Sequence, residues 1–189
     1  MDRAAGIFLA ITILTLSLIS LPTNSHQFST KLNKREMAKR EKLSHLHFYF
    51  HDIVSGRSPT AVRVAEAAAT NSSATGFGIM MLMDDPLTAG PDAGSKIVGR
   101  AQGIYASADL SRTGLMMALN FAFLEGKFNG STLSVLGRNA VFSAVREMPI
   151  VGGSGVFRFA RGYVHARTHF FDFKTLNAVV QYDVYVLHY

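Results

Sequence analysis

One carboxylate stands at the end of an aromatic stripe. If HLHFYFHDI (45–53) is extended, Leu46, Phe48, Phe50 and Asp52 share one side, because strand side chains alternate with a period of two. An acid held against Phe48 and Phe50 is desolvated, which favours its neutral form and fits it to give a proton to a substrate. The competing reading is that Asp52 caps the turn into VSGRSPT. Two further groups could work with such an acid. Tyr105 follows glycines in VGRAQGIYAS that permit close backbone approach, and it could present a phenol to a ligand or stay a core tyrosine with its hydroxyl satisfied. Arg146 stands beside the segment EMPIVGG, which reads as a turn. Its guanidinium could hold a carboxylate or phenolate, or form an ion pair with Glu147.

Other chemistries lack their residues. GGSG (152–155) does not have the G-x-S-x-G spacing of a nucleophile elbow and reads as a turn. No GxxxxGK[ST] loop is present, nor a GxGxxG between a strand and a helix. With no cysteine there is no thiol nucleophile, thiolate metal site or disulfide scaffold. His45 and His47 would share one strand face, as would His165 and His169; an exposed face is a simpler reading of both pairs than a metal site. The sequence thus calls for no cofactor and no metal.

The elements that must position these residues read as short strands. The candidates are 45–53, 61–69, 76–83, 96–108, 115–126, 131–137, 155–171 and 178–189. AVRVAEAAA (61–69) also suits a helix, and DDPLTAGPDAGS (84–95) reads as a turn. Several strands are apolar on both faces, as when one side lines a core or cavity and the other packs on a neighbour. A closed eight-stranded antiparallel barrel meets that need and removes exposed edges; a β-sandwich is the runner-up.

Residues 1–25 read as a signal peptide: Arg3, then the apolar run IFLAITILTLSLISL (7–21), then small residues before His26. That run is short for a membrane span. The sequons at Asn71 and Asn129 suit glycosylation on a secretory route. The segment 26–42 reads as a basic linker, with six bases against two acids in TKLNKREMAKREK (30–42). Contact with acidic wall polysaccharide suits it better than a nucleic-acid arm. One domain, 43–189, remains, rich enough in apolar residues (48% of the whole chain) to build a sizeable core.

Five blocks carry a resemblance. FYFHDIVSG (48–56), DDPLT (84–88), VGRAQGIYAS (98–107), NFAFLEGKFNGSTLSVLGRN (120–139) and REMPIVGGSGVFRFARGY (146–163) resemble the plant dirigent family in order. The likeness is greatest to its cysteine-lacking branches, which include the pterocarpan synthases. It implies an eight-stranded antiparallel barrel, a homotrimer, a signal peptide, N-glycans at positions such as Asn71 and Asn129, and secretion to the apoplast or cell wall. It also implies a pocket where acids act on a bound phenolic, with Asp52, Tyr105 and Arg146 in the catalytic positions. Phe48, Phe50, Asn139 and Ser107 would line it. Lignan-coupling members carry a second acid at the place of Asn139 and a second tyrosine at that of Ser107. An amide cannot donate a proton as a carboxylic acid does, so a two-acid mechanism does not carry over.

Three functions follow as expectations. The first is a dirigent protein that imposes stereoselectivity on the coupling of monolignol radicals made by an external laccase or peroxidase, acting by orientation alone. The second is a lyase of pterocarpan-synthase type, an isoflavanol dehydratase working through a quinone methide with Asp52 as general acid. The third is a wall-associated defence protein without turnover.

Overall fold

The computed structural model describes residues 40–189, so the expected signal peptide and nearly all of the basic linker lie outside the described residues. Nine antiparallel strands follow in chain order: β1 Lys42–Asp52, β2 Ala61–Ala65, β3 Met80–Thr88, β4 Ile97–Ser107, β5 Leu115–Phe123, β6 Thr132–Asn139, β7 Arg146–Ser154, β8 Arg161–Phe171 and β9 Ala178–His188. They form one sheet in the order β1-β9-β8-β7-β6-β5-β4-β3-β2. A short seam closes it, where Tyr49 meets Thr88 and Phe50 meets Leu87. The result is a closed eight-stranded barrel, β1 and β3 to β9, and not a sandwich. β2 is an extra strand on β3, from Ala61 opposite Met83 to Ala65 opposite Met80.

The count of eight is right, but its membership is not the one read from the sequence. The eight strands read from the sequence include β2, whereas β7, with Pro149, Gly152 and Gly153, reads as a turn. Proline removes a ladder donor and is tolerated only where a strand edge is open. β7 meets β6 only from Ile150 onward, so Pro149 lies where that edge is unpaired. Pro86 in β3 is the same case: the strand has left β2 at Met83 and meets β1 only at Leu87. β3 therefore runs through the supposed turn DDPLT. GGSG is likewise no turn, since Gly152 to Ser154 belong to β7. The ambiguous segment 61–69 is a strand only to Ala65, and the strand expected from 155 begins at Arg161 after a short 3-10 turn, Gly155–Phe157.

The inward stripe fills one half of the barrel with rings. Phe48 is 2% exposed, edge-on to Phe121 at 5.0 Å and stacked on Tyr182 at 6.0 Å. Val184, Val186, Leu133 and Phe157 are fully buried beside them. Each such side chain contributes about 1.5–3 kcal/mol of burial. At Gly103 any Cβ would lie 2.3 Å from the carbonyl oxygen of Ala118, so glycine there lets β4 press against β5 just ahead of Tyr105. Among the described residues no helix is long and apolar enough to cross a membrane.

Candidate functional site

The other half of the barrel is hollow. A cavity of roughly 660 Å³ opens where β1, β4, β6 and β8 end and β5, β7 and β9 begin, and Asp52, Tyr105, Ser107, Asn139 and Arg146 all line it. That volume suits a ligand of drug-like size. Alternation carries the β1 stripe from the packed half into the hollow. Phe48 therefore lies outside the cavity lining, beneath it in the core, whereas Phe50 and Asp52 line the wall.

Asp52 does not cap a turn. Its two carboxylate oxygens accept the Tyr105 hydroxyl at 3.2 and 3.1 Å. Burial pushes its carboxyl up to about 6, against the Tyr105 hydrogen bond, which pulls it down. Burial and the charge of Asp52 raise the Tyr105 phenol in turn, so Tyr105 remains a donor. Register gives the placement: Tyr105 is opposite both Met81 of β3 and Met117 of β5.

Arg146 forms no ion pair with Glu147, which bonds His165 instead. It is 4% exposed, donating from Nε to the Asn139 amide oxygen at 3.1 Å and from Nη1 to the Thr168 hydroxyl at 2.9 Å. Burial lowers its affinity for a proton. Among the described residues none of its hydrogen-bond partners is anionic, which is uncommon for a buried cation and leaves it to attract electron-rich oxygen on a ligand. Asn139 is thus the neutral partner that keeps this charge uncompensated. Ser107 is 8% exposed, and its hydroxyl donates to the Thr75 carbonyl at 2.9 Å.

One acid escaped the sequence reading. Asp85 is on the inward face of β3 between Met83 and Leu87 and is 0% exposed. The seam register, extended two residues beyond Phe50–Leu87, sets it across from Asp52. Thr60 donates its hydroxyl to Oδ1, while Oδ2 has no partner among the described residues. Burial and then the Asp52 charge push this carboxyl up to about 8, so it is neutral where Asp52 begins to ionise. The available signal was period-two alternation through Met83, Asp85 and Leu87, which Pro86 disguised. His45 and His47 are on the outer face, both bonded to Asp183 Oδ1. Asn71 and Asn129 are exposed, in the loops between β2 and β3 and between β5 and β6.

The barrel has counterparts among known proteins. The profile of the family described as dirigent-like protein matches residues 43–187. Dirigent protein 21 of Arabidopsis thaliana is 54% identical over 176 residues, 93% of each chain. Pterocarpan synthase 1 of Glycine max is 51% identical over 177 residues, again 93% of each. The solved structure of the pterocarpan synthase dirigent protein GePTS1 superposes with a TM-score of 0.81 at 49% identity, over 86% of this chain and 99% of that one. The chain belongs to the dirigent family.

Proposed function

We propose that the protein is a lyase of pterocarpan-synthase type, which removes water from an isoflavanol-like phenolic through a quinone methide. The observation that carries this reading is Asp52, a carboxyl raised to about 6 at the wall of an apolar cavity. A general acid works best when its pKa is near the operating pH. Asp52 would give its proton to the departing benzylic hydroxyl as the C–O bond breaks and water leaves. The conjugated phenol releases its own proton to the Asp52 carboxylate, giving the neutral quinone methide. A second phenol of the same molecule attacks the electrophilic carbon, and its proton restores the first phenol. The sum is loss of one water, with the acid regenerated. Arg146 would face the oxygen whose charge grows as the proton departs. One donor is enough, which suits the amide at Asn139.

Radical coupling is the second reading. A cavity of about 660 Å³ has room for two single-ring phenols side by side, and an external laccase or peroxidase would supply the oxidation. Secretion, glycans and a trimer remain part of this proposal and follow the family resemblance. A panel of isoflavanols and monolignols, with and without laccase and resolved by chiral chromatography, separates the readings. Water loss from an isoflavanol alone supports the lyase. Enantiomeric excess that arises only with the oxidase supports coupling and removes the lyase.

A further inference from the structure

The outer face of β1, β9 and β8, on the far side of the sheet from the cavity, carries a histidine array that the proposed reaction does not use. Register lays it out in rows: Tyr163–Tyr185–His45, then His165–Asp183–His47, then Arg167–Gln181–Tyr49. Asp183 is the hub. Its Oδ1 meets His45 Nε2 at 3.0 Å and His47 Nδ1 at 2.9 Å, and its Oδ2 accepts Arg167 at 2.9 Å and Gln181 at 3.1 Å. From β7, Glu147 bonds His165 Nε2 at 2.9 Å. His169, at the β8 bulge, is edge-on to Tyr49 at 5.5 Å.

The permanent charges on this face nearly cancel. Arg161 pairs with Glu41 and Arg167 with Asp183, and Glu147 adds one further negative charge. Two cations against three anions give −1. Lys42 takes the other side of β1, and Arg40, exposed ahead of the strand, is left out of this sum. His51, the next outward position on β1, is buried against the Thr88 hydroxyl and takes no part. Histidine is the side chain that changes charge between about pH 5 and 8. Protonating His45, His47, His165 and His169 takes the face from −1 to +3. The sign of the surface therefore turns on whether these four rings carry protons.

We propose that this face is an acid-engaged docking surface for a carboxylate-bearing polysaccharide, a polyuronate. Three of the histidines keep a second ring nitrogen (Nδ1 of His45 and His165, Nε2 of His47) that makes no hydrogen bond among the described residues. Once charged, each can donate to a uronate carboxylate. Tyr163, Tyr185 and Tyr49 are partly exposed between them and supply hydroxyls and ring edges suited to sugars. A phosphate polymer fits less well, because Arg161 and Arg167 are already engaged by acids, and the other cationic groups in these rows are histidines.

The test is binding of the whole protein to immobilised polygalacturonate at pH 5.0 and 7.5 at one ionic strength. Its methyl-esterified form and a single-stranded DNA serve as comparisons. The expected result is binding at pH 5.0 that weakens at least ~10-fold at pH 7.5, as unpaired charge of opposite sign is withdrawn. Esterification should abolish it. The quadruple variant H45Q/H47Q/H165Q/H169Q, shown by its melting curve to be folded, should lose the pH-dependent part. Equal binding at both pH values would assign the interaction to the basic segment 30–42 and overturn the proposal. So would retention by the folded variant, or equal acid-strengthened binding to DNA. If the quadruple variant does not fold, the pairs H45Q/H47Q and H165Q/H169Q should each weaken acid binding, and two unaffected pairs overturn the proposal equally.

Discussion

Replacing Tyr105 with phenylalanine tests how the barrel sets its acid. The Tyr105 hydroxyl donates to the two oxygens of Asp52 at 3.1 and 3.2 Å, and it stabilises the charged carboxylate against the burial that raises it to about 6. Hydrogen bonds to a charged group are worth about 1.5–3 kcal/mol, and contacts of this length belong at the lower end. One pKa unit is about 1.4 kcal/mol, so Tyr105→Phe should move Asp52 up by about one unit, to near 7. With the acid at 6, about 9% of Asp52 is protonated at pH 7; with the acid at 7, about half is. Turnover of an isoflavanol by the wild type should be flat below about pH 5 and fall ~10-fold per unit well above 6. The variant should match it at pH 5, exceed it ~5-fold at pH 7, and keep its fold. The assay is kcat against pH with chiral chromatography of the product. An unmoved profile, or one displaced to lower pH, would refute this account of Asp52. A uniform loss at every pH would mean that Tyr105 acts on the substrate itself.

Three further outcomes follow from the same geometry. Asp52 and Asp85 hold protons more tightly folded than unfolded, so their contribution to stability is full in acid and is lost as pH rises, through about 6 for Asp52 and 8 for Asp85. Urea denaturation should show stability falling by several kcal/mol between about pH 4 and 8, with Asp85→Asn flattening the upper part; a level wild-type profile would contradict it. Phe48→Ala should cost about 3–5 kcal/mol while leaving KM within about twofold once the protein is folded, because the ring is core and not cavity wall. Asn139→Asp would place a carboxylate 3.1 Å from Arg146 and neutralise it, raising KM for a phenolic ~10-fold in isothermal or steady-state measurement; an unchanged KM would detach Arg146 from the ligand.

The barrel was legible because its residues speak locally. Alternation in 45–53 correctly set Asp52 on the side of Phe48 and Phe50, and the blocks around Tyr105 and Arg146 named two more cavity groups. What the sequence hid has one physical cause, twice over. Pro86 and Pro149 each argue against a strand, and each is tolerated because a neighbouring strand is missing at that point of the barrel. That pairing exists only after closure, so no local pattern reports it. The cost was β7 as an element and Asp85 as an acid. Phe48 shows the complementary limit: period two gives the side of a strand a residue takes, but not whether the barrel at that height is filled or hollow.

The most direct test of the central claim is turnover by Asp52→Asn at pH 5, measured together with binding of the same phenolic by calorimetry. The amide keeps the shape and the contact with Tyr105 but has no acidic proton to give. The account predicts binding within a few-fold of wild type and kcat lowered by ~10²–10⁴, the usual contribution of a general acid. A folded variant that binds and turns over at the wild-type rate would contradict it.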